Sequence, residues 1–211
     1  MAYRSFFMGS VSQIMHQFET YPRAGFYYAK LKLKGLSLPD AILITKKLKQ
    51  HFLLRLDINL LWSQSELKEF CSHFHPDDFD YIEDPGYDIS PFPVAYDELP
   101  IPFPEALQIW KPSVKGIPCS SQNIILGSAF ESGIGLASIA KLAHHLSSND
   151  KNFRVRALGL GTYHLIEQDL LETPLVFSQG AVTISSISPK MDLLEKIAEY
   201  EVANRYEKME S

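Results

Sequence analysis

The feature that most restricts this chain is an alternation between short strand-like runs and segments of helical period. Segments 3–8 (YRSFFM), 26–33 (FYYAKLKL), 52–57 (FLLRLD) and 79–83 (FDYIE) read as strands. Between them, Val11, Ile14, Met15 and Phe18 share one helix face, and a second helix starts near Pro39. Ser63-Gln64-Ser65-Glu66 has the form of a capping box, followed by Leu67, Phe70, Cys71 and Phe74 at helical spacing. Strand candidates resume at 93–97, 106–111, 123–128 and 153–158, with a helix expected over 131–145. Strands that take turns with helices pair in parallel through crossovers. Eight of them predict an α/β fold, a (β/α)8-type barrel, in preference to an open doubly wound sheet.

Two connections break the pattern. Asp57 and Glu83 stand 26 residues apart, but Glu83 to Asp97 and Asp97 to Lys111 are 14 each. A parallel crossover needs about a dozen connecting residues, so no full helix fits once a strand is subtracted. Both stretches are also rich in proline (Pro85, Pro91 and Pro93; Pro100, Pro102 and Pro104). The outer helices after strands 4 and 5 are therefore expected to be shortened or missing. Residues 1–173 are assigned to the barrel. Residues 174–211 are assigned to a hairpin turning at Ser178-Gln179-Gly180 and a charged helix over 190–208, both packed on the barrel.

Composition narrows the function. At 211 residues and 45% hydrophobic the chain can build a sizeable core, which excludes disorder. Its 25 acidic against 20 basic residues give a net charge of −5 and argue against a nucleic-acid partner. Cys71 and Cys119 are too few for a disulfide framework and suit a reducing compartment. No apolar run approaches the ~20 residues of a membrane span, and the N-terminal apolar stretch is too short for a signal peptide. A soluble cytoplasmic domain without a membrane partner is expected.

In such a barrel the active site lies at the C-terminal strand ends. There the sequence places Lys30 and Lys32 on strand 2, with Lys34 just beyond, and Asp57 followed by Asn59 on strand 3. Glu83 ends strand 4, Asp97 and Glu98 strand 5, and Lys111 strand 6. An acid after a strand is often only a helix cap, and alternating lysines are often a solvated face. Five strand ends that agree, with the lysines in an apolar aromatic segment, favour a site. Three carboxylates form the hard-oxygen set that Mg²⁺ prefers, and a carboxylate substrate could lose its α-proton to a lysine there. Lys30, Lys32 and Lys34 share a strand face, so Lys32 with Lys34 is an alternative to the favoured Lys30 with Lys32.

These segments resemble the enolase superfamily, and within it the o-succinylbenzoate synthases. The matching stretches, in family order, are AKLKLKG (29–35), LRLDINLLWS (54–63), DYIEDP (80–85), VAYDE (94–98) and IWKPSVKG (109–116). ILGSAFESGIGLASIAKLA (125–143) and GLGTYHLIEQDL (159–170) complete the series. The resemblance implies Mg²⁺ held by Asp57, Glu83 and Asp97, with Lys32 as general base tuned by Lys30 and Lys111 stabilising an enediolate. Ser128, with the helix-opening Ser132-Gly133, would hold a succinyl carboxylate. Asn59, Gly159 and Leu160 complete the substrate-binding set. The implied activity is a carbon–oxygen lyase of menaquinone biosynthesis that dehydrates a small-molecule carboxylate. The family's capping domain has no counterpart before the first strand, so an open site, or a second copy or separate capping chain as partner, is expected.

Two other functions share the pattern. A racemase or epimerase of an N-acyl amino acid or dipeptide would use the lysines as acid and base, but strand 8 lacks the D-x-D that would bind an amino group. A non-catalytic scaffold is the third reading. Cys71, His73, His75, Asp77 and Asp78 lack zinc-ligand spacing and read as a helix end. His144-His145 reads as a helix C-terminus and His164 as a surface residue. No G-x-S-x-G or G-x-G-x-x-G is present.

Overall fold

The computed structural model describes residues 5–20, 26–60, 62–100, 102, 106–118, 123–153, 156–184 and 186–194. Seven strands form one parallel sheet whose spatial order is their sequence order. They are β1 (Ser5–Phe7), β2 (Tyr28–Lys32), β3 (Leu53–Asp57), β4 (Phe79–Glu83), β5 (Val94–Tyr96), β6 (Leu107–Trp110) and β7 (Ile124–Leu126). A doubly wound sheet would reverse its strand order at a switch point, and this one never does. The helices are α1 (Val11–Thr20), α2 (Leu38–Leu48), α3 (Gln64–Ser72), α4 (Pro112–Lys115) and α5 (Gly133–Asn149). The architecture is a partial (β/α) barrel.

The alternation of strand residues sorts the two faces. Ala29, Leu31, Leu54, Leu56 and Ile82 join Ile14, Phe18, Ile44, Leu48, Leu67 and Phe70 in one buried cluster between the sheet and α1, α2 and α3. The opposite face carries Lys30, Lys32, Arg55 and Asp57. Local chemistry starts α2 and α3 as expected: Ser37 caps α2 with Pro39 in its first turn, and Ser63 and Glu66 form a reciprocal capping box on α3. Ser63→Ala should lower stability by about 1 kcal/mol, read as a lower urea midpoint with unchanged slope.

Curling is carried by the far side of the sheet. Among the described residues the expected eighth strand over 153–158 is not formed, and positions 154 and 155 lie outside them. Gly159 forms a parallel bridge with Gly127, the residue after β7, and Leu158 beside it is also a bridge residue. Glycine at both points supplies no side chain to pack, and three residues of β7 leave little ladder to extend. The 3₁₀ turn Gly161–Leu165 then lies beside β1.

Arg55 fills the interior beneath. Fully buried, it donates from Nε to Asp80 Oδ2 (2.7 Å) and from Nη1 to the Ala157 carbonyl (2.9 Å), between the rings of Tyr28 and Tyr81 (5.1 and 5.0 Å).

Among the described residues no helix separates β4 from β5 or β5 from β6, and only the four-residue α4 lies between β6 and β7. After the bridge come a short antiparallel hairpin, β8 (Val176–Ser178) with β9 (Ala181–Thr183), turning at Gln179-Gly180. Its Phe177 and Val182 pack against the α5 cluster. Of the helix expected over 190–208, Met191–Leu193 is a 3₁₀ turn, and 195–208 lie outside the described residues. No helix among the described residues is long and apolar enough to cross a membrane.

Candidate active site

The register of three adjacent strands builds one wall. Lys32 pairs with Asp57 and Asp57 with Glu83, so three charged side chains stand level across β2, β3 and β4. A register slip makes this possible. Leu54 lies opposite Phe79, but Arg55 lies opposite Tyr81, so the ladder shifts by one residue. Without the shift Ile82 would stand beside Asp57. With it, Glu83 faces inward, and the extra residue, Asp80, is the one that takes the Arg55 hydrogen bond.

Charge is paired across this wall. Lys30 donates to both Glu83 oxygens (2.8 Å each) and stands 2.8 Å from Asp57 Oδ2. Lys32 Nζ is 3.5 Å from the same Asp57 oxygen. Lys30 is the more buried, its side chain 11% exposed against 29% for Lys32, so Lys32 is the one presented to the pocket mouth. Lys34 is exposed in the turn after β2. Burial pushes the Glu83 carboxyl above the usual carboxylate range, opposed by Lys30 and reinforced by the charges of Asp57 and Asp97.

The opposite wall comes from β5 and β6. Lys111 Nζ hydrogen-bonds Asp97 Oδ2, and Lys115 Nζ lies 3.8 Å from Asp97 Oδ1. An open pocket joins the walls, lined by Lys30, Lys32, Asp57, Asn59, Glu83, Asp97 and Lys111 among the sequence-predicted residues. Ser128 and Gly159 close its far side, where Ser128 Oγ and Thr162 Oγ1 are 3.0 Å apart.

Three predicted residues stand elsewhere. Ser132 caps α5 and Gly133 opens it, but neither lines the pocket. The Gly133 N–H donates to Asp169 Oδ1 (2.8 Å), so an internal carboxylate occupies this helix N-terminus. A Cβ at Gly133 would meet Asp169 Oδ2 at 2.1 Å, which explains the glycine. Leu160 is buried in the apolar cluster around α5.

The sequence reading missed Asp84, Lys115, Phe130 and Thr162. Asp84 was masked by its Glu-Asp-Pro context, which reads as a turn, and the others carry no strand-end signal. The Cys71 group behaves as a helix end: His73 is the C-cap of α3, and burial pushes the Cys71 thiol up to about 11.

Whether a divalent cation suits these residues can be judged from their chemistry. Asp57 Oδ1 is buried and accepts no hydrogen bond, an arrangement that costs about 1–3 kcal/mol if nothing else engages it. All the acidic donors are hard carboxylate oxygens, matching Mg²⁺. As the side chains stand, no group of three or more acidic, histidine or cysteine side chains among the described residues is arranged to hold a metal. Lys30 fills the space between Asp57 and Glu83. The donor chemistry suits the ion, with Asp57 free at one oxygen, while the position between Asp57 and Glu83 is taken by the Lys30 ammonium.

Comparison with solved structures addresses the fold. Muconate cycloisomerase from Pseudomonas fluorescens superposes with a TM-score of 0.61 at 18% identity, over 89% of this chain and 61% of that one. MenC from Desulfotalea psychrophila LSv54 gives 0.63 at 19% identity, over 87% and 60%. Muconate lactonizing enzyme from Mucobacterium Smegmatis gives 0.68 at 17% identity, over 85% and 58%. The chain shares their fold. It spans about three fifths of the length of each of these neighbours. The sequence matches no protein-family model and no curated protein.

Proposed function

We propose that the chain is a Mg²⁺-dependent enzyme of the enolase superfamily, an o-succinylbenzoate synthase that removes a proton α to a carboxylate and expels a hydroxyl. The observation that carries this reading is the convergence of Lys30, Lys32 and Lys111 with Asp57, Glu83 and Asp97 in one pocket at the ends of consecutive parallel strands. The shared fold with muconate cycloisomerase and MenC supports it.

Asp57, Glu83 and Asp97 would hold Mg²⁺, which when bound supplies positive charge to the substrate carboxylate. Lys32, at the mouth, takes the α-proton. The C–H electrons pass into an enediolate whose charge the Lys111 ammonium offsets from the opposite wall. As the enediolate collapses, the C–O bond breaks and the Lys32 ammonium returns its proton to the departing hydroxyl, so one water leaves. Lys30, beside Lys32 at Asp57, adds a second positive charge to that side of the site.

The far side favours dehydration over epimerisation of an amino acid derivative. Gly159, Gly161 and Thr162 line the pocket there, and none carries a charge to bind an ammonium group.

The test is an absorbance assay of the full chain with the succinyl-hydroxycyclohexadiene-carboxylate substrate, with Mg²⁺ and with chelator. Turnover that needs the metal is expected. No turnover and no Mg²⁺ binding would overturn the enzyme reading in favour of a scaffold; no turnover with Mg²⁺ bound would overturn the assigned substrate.

A further inference from the structure

Asp97 ends the three-residue strand β5, which among the described residues has no outer helix on either side. Helices packed on a sheet ordinarily fix its strand ends, and here that packing is missing. Two charged side chains meet the peptide of Asp97 instead. The buried Asp84 carboxylate accepts from the N–H of Asp97 (3.1 Å), Glu98 (3.0 Å) and Leu99 (3.4 Å). Lys115, on α4, donates from Nζ to the Asp97 carbonyl (3.1 Å) and the Ile109 carbonyl (2.9 Å).

The clasp extends further. Asp84 sits in the left-handed region (φ 47°), a conformation aspartate tolerates better than most residues. Its own N–H donates to Ala95 (3.0 Å), and its carbonyl accepts from Leu60 (3.3 Å), so it ties together the loops after β3, β4 and β5. The Lys115 ammonium also lies 5.8 Å from the centroid of the Trp110 ring, which steadies its stem.

We propose that Asp84 and Lys115 are positioning residues that hold Asp97 in the pocket, taking the place of the absent outer helices. A carboxylate fits the first position because three converging N–H dipoles satisfy an acceptor-only group. A long cationic stem fits the second because it spans from α4 to two carbonyls. The metal-binding arm of the test rests on the functional reading above; the exchange arm does not.

Amide hydrogen exchange on the full chain tests the clasp directly. In Asp84→Ala, exchange at Glu98 and Leu99 should accelerate about tenfold or more, with β2–β4 unchanged. Asp84→Asn, which keeps one acceptor oxygen, should restore part of the protection, and Lys115→Met should loosen Asp97 less than Asp84→Ala. Mn²⁺ binding followed by electron paramagnetic resonance should weaken about tenfold in Asp84→Ala and Lys115→Met.

Unchanged exchange at Glu98 and Leu99 in Asp84→Ala overturns the inference. So does wild-type Mn²⁺ affinity in both variants when Asp97→Ala abolishes binding. If Asp84→Ala does not fold, Asp84→Asn and Lys115→Met decide on the same readings. A wild-type chain that binds no Mn²⁺ overturns the functional reading, and the exchange arm alone then decides the clasp.

Discussion

Lys32→Ala is expected to lower kcat for the dehydration by about a thousandfold while KM changes little, because the variant removes the group that moves the proton. Lys111→Ala should cost about a hundredfold or more, since it withdraws a positive charge from the developing enediolate. Lys34→Ala should leave kcat unaltered, because that side chain is exposed in the turn beyond β2. Lys32→Ala and Lys34→Ala together decide whether Lys32 or Lys34 is the base. Steady-state kinetics with melting temperatures as folding controls is the measurement. Equal loss in Lys34→Ala, or full activity in Lys32→Ala, would sink the assignment.

Arg55→Ala should be among the most destabilising single substitutions in the chain. The guanidinium has no exposure and joins Asp80, the Ala157 carbonyl and two tyrosine rings. Its removal strands the largely buried Asp80 carboxylate and empties the space beneath the pocket. Breaking a buried pair by deleting one partner costs about 3–5 kcal/mol, or roughly 10 °C in a domain of this size. Arg55→Met, which retains the apolar stem, should lose less. A thermal melt decides: a drop of only about 2 °C in Arg55→Ala would show that the interior pairing contributes little.

Much of the fold was legible because local chemistry and burial pattern agree along the first half of the chain. The edges of β4 fall where the run 79–83 predicted, and Ser63-x-x-Glu66 starts its helix as read. The proline-rich spacing around Asp97 predicted shortened connections, and among the described residues no helix lies between β4 and β6. The second half was less readable. Three-residue strands carry almost no periodic signal, and among the described residues Leu158 and Gly159 form isolated bridges where a strand was expected.

The site divides the same way. Strand-end position alone pointed to Lys30, Lys32, Asp57, Glu83, Asp97, Glu98 and Lys111, the seven charged residues that line the pocket. It could not reveal the slip at Leu54 that turns Glu83 inward, because register is a property of two strands and the sequence shows each separately. Nor could it show that Asp169, 36 residues on, fills the helix N-terminus at Gly133, since that pairing depends on how the later segment folds back.

The uneven helix cover has a consequence for how the molecule comes apart. β1 to β4 are backed by three helices and a continuous aromatic cluster, whereas among the described residues no helix backs β5. Cooperative opening units follow such differences in buried contact, so the β5–β6 side forms the lower-energy foldon. The pocket straddles the boundary: Lys30, Lys32, Asp57 and Glu83 belong to the firm half, and Asp97 and Lys111 to the loose one. On warming, the two walls are therefore expected to separate before the chain as a whole unfolds, so that exchange protection at Glu98 and Leu99 is lost at a temperature where circular dichroism still reports a folded protein.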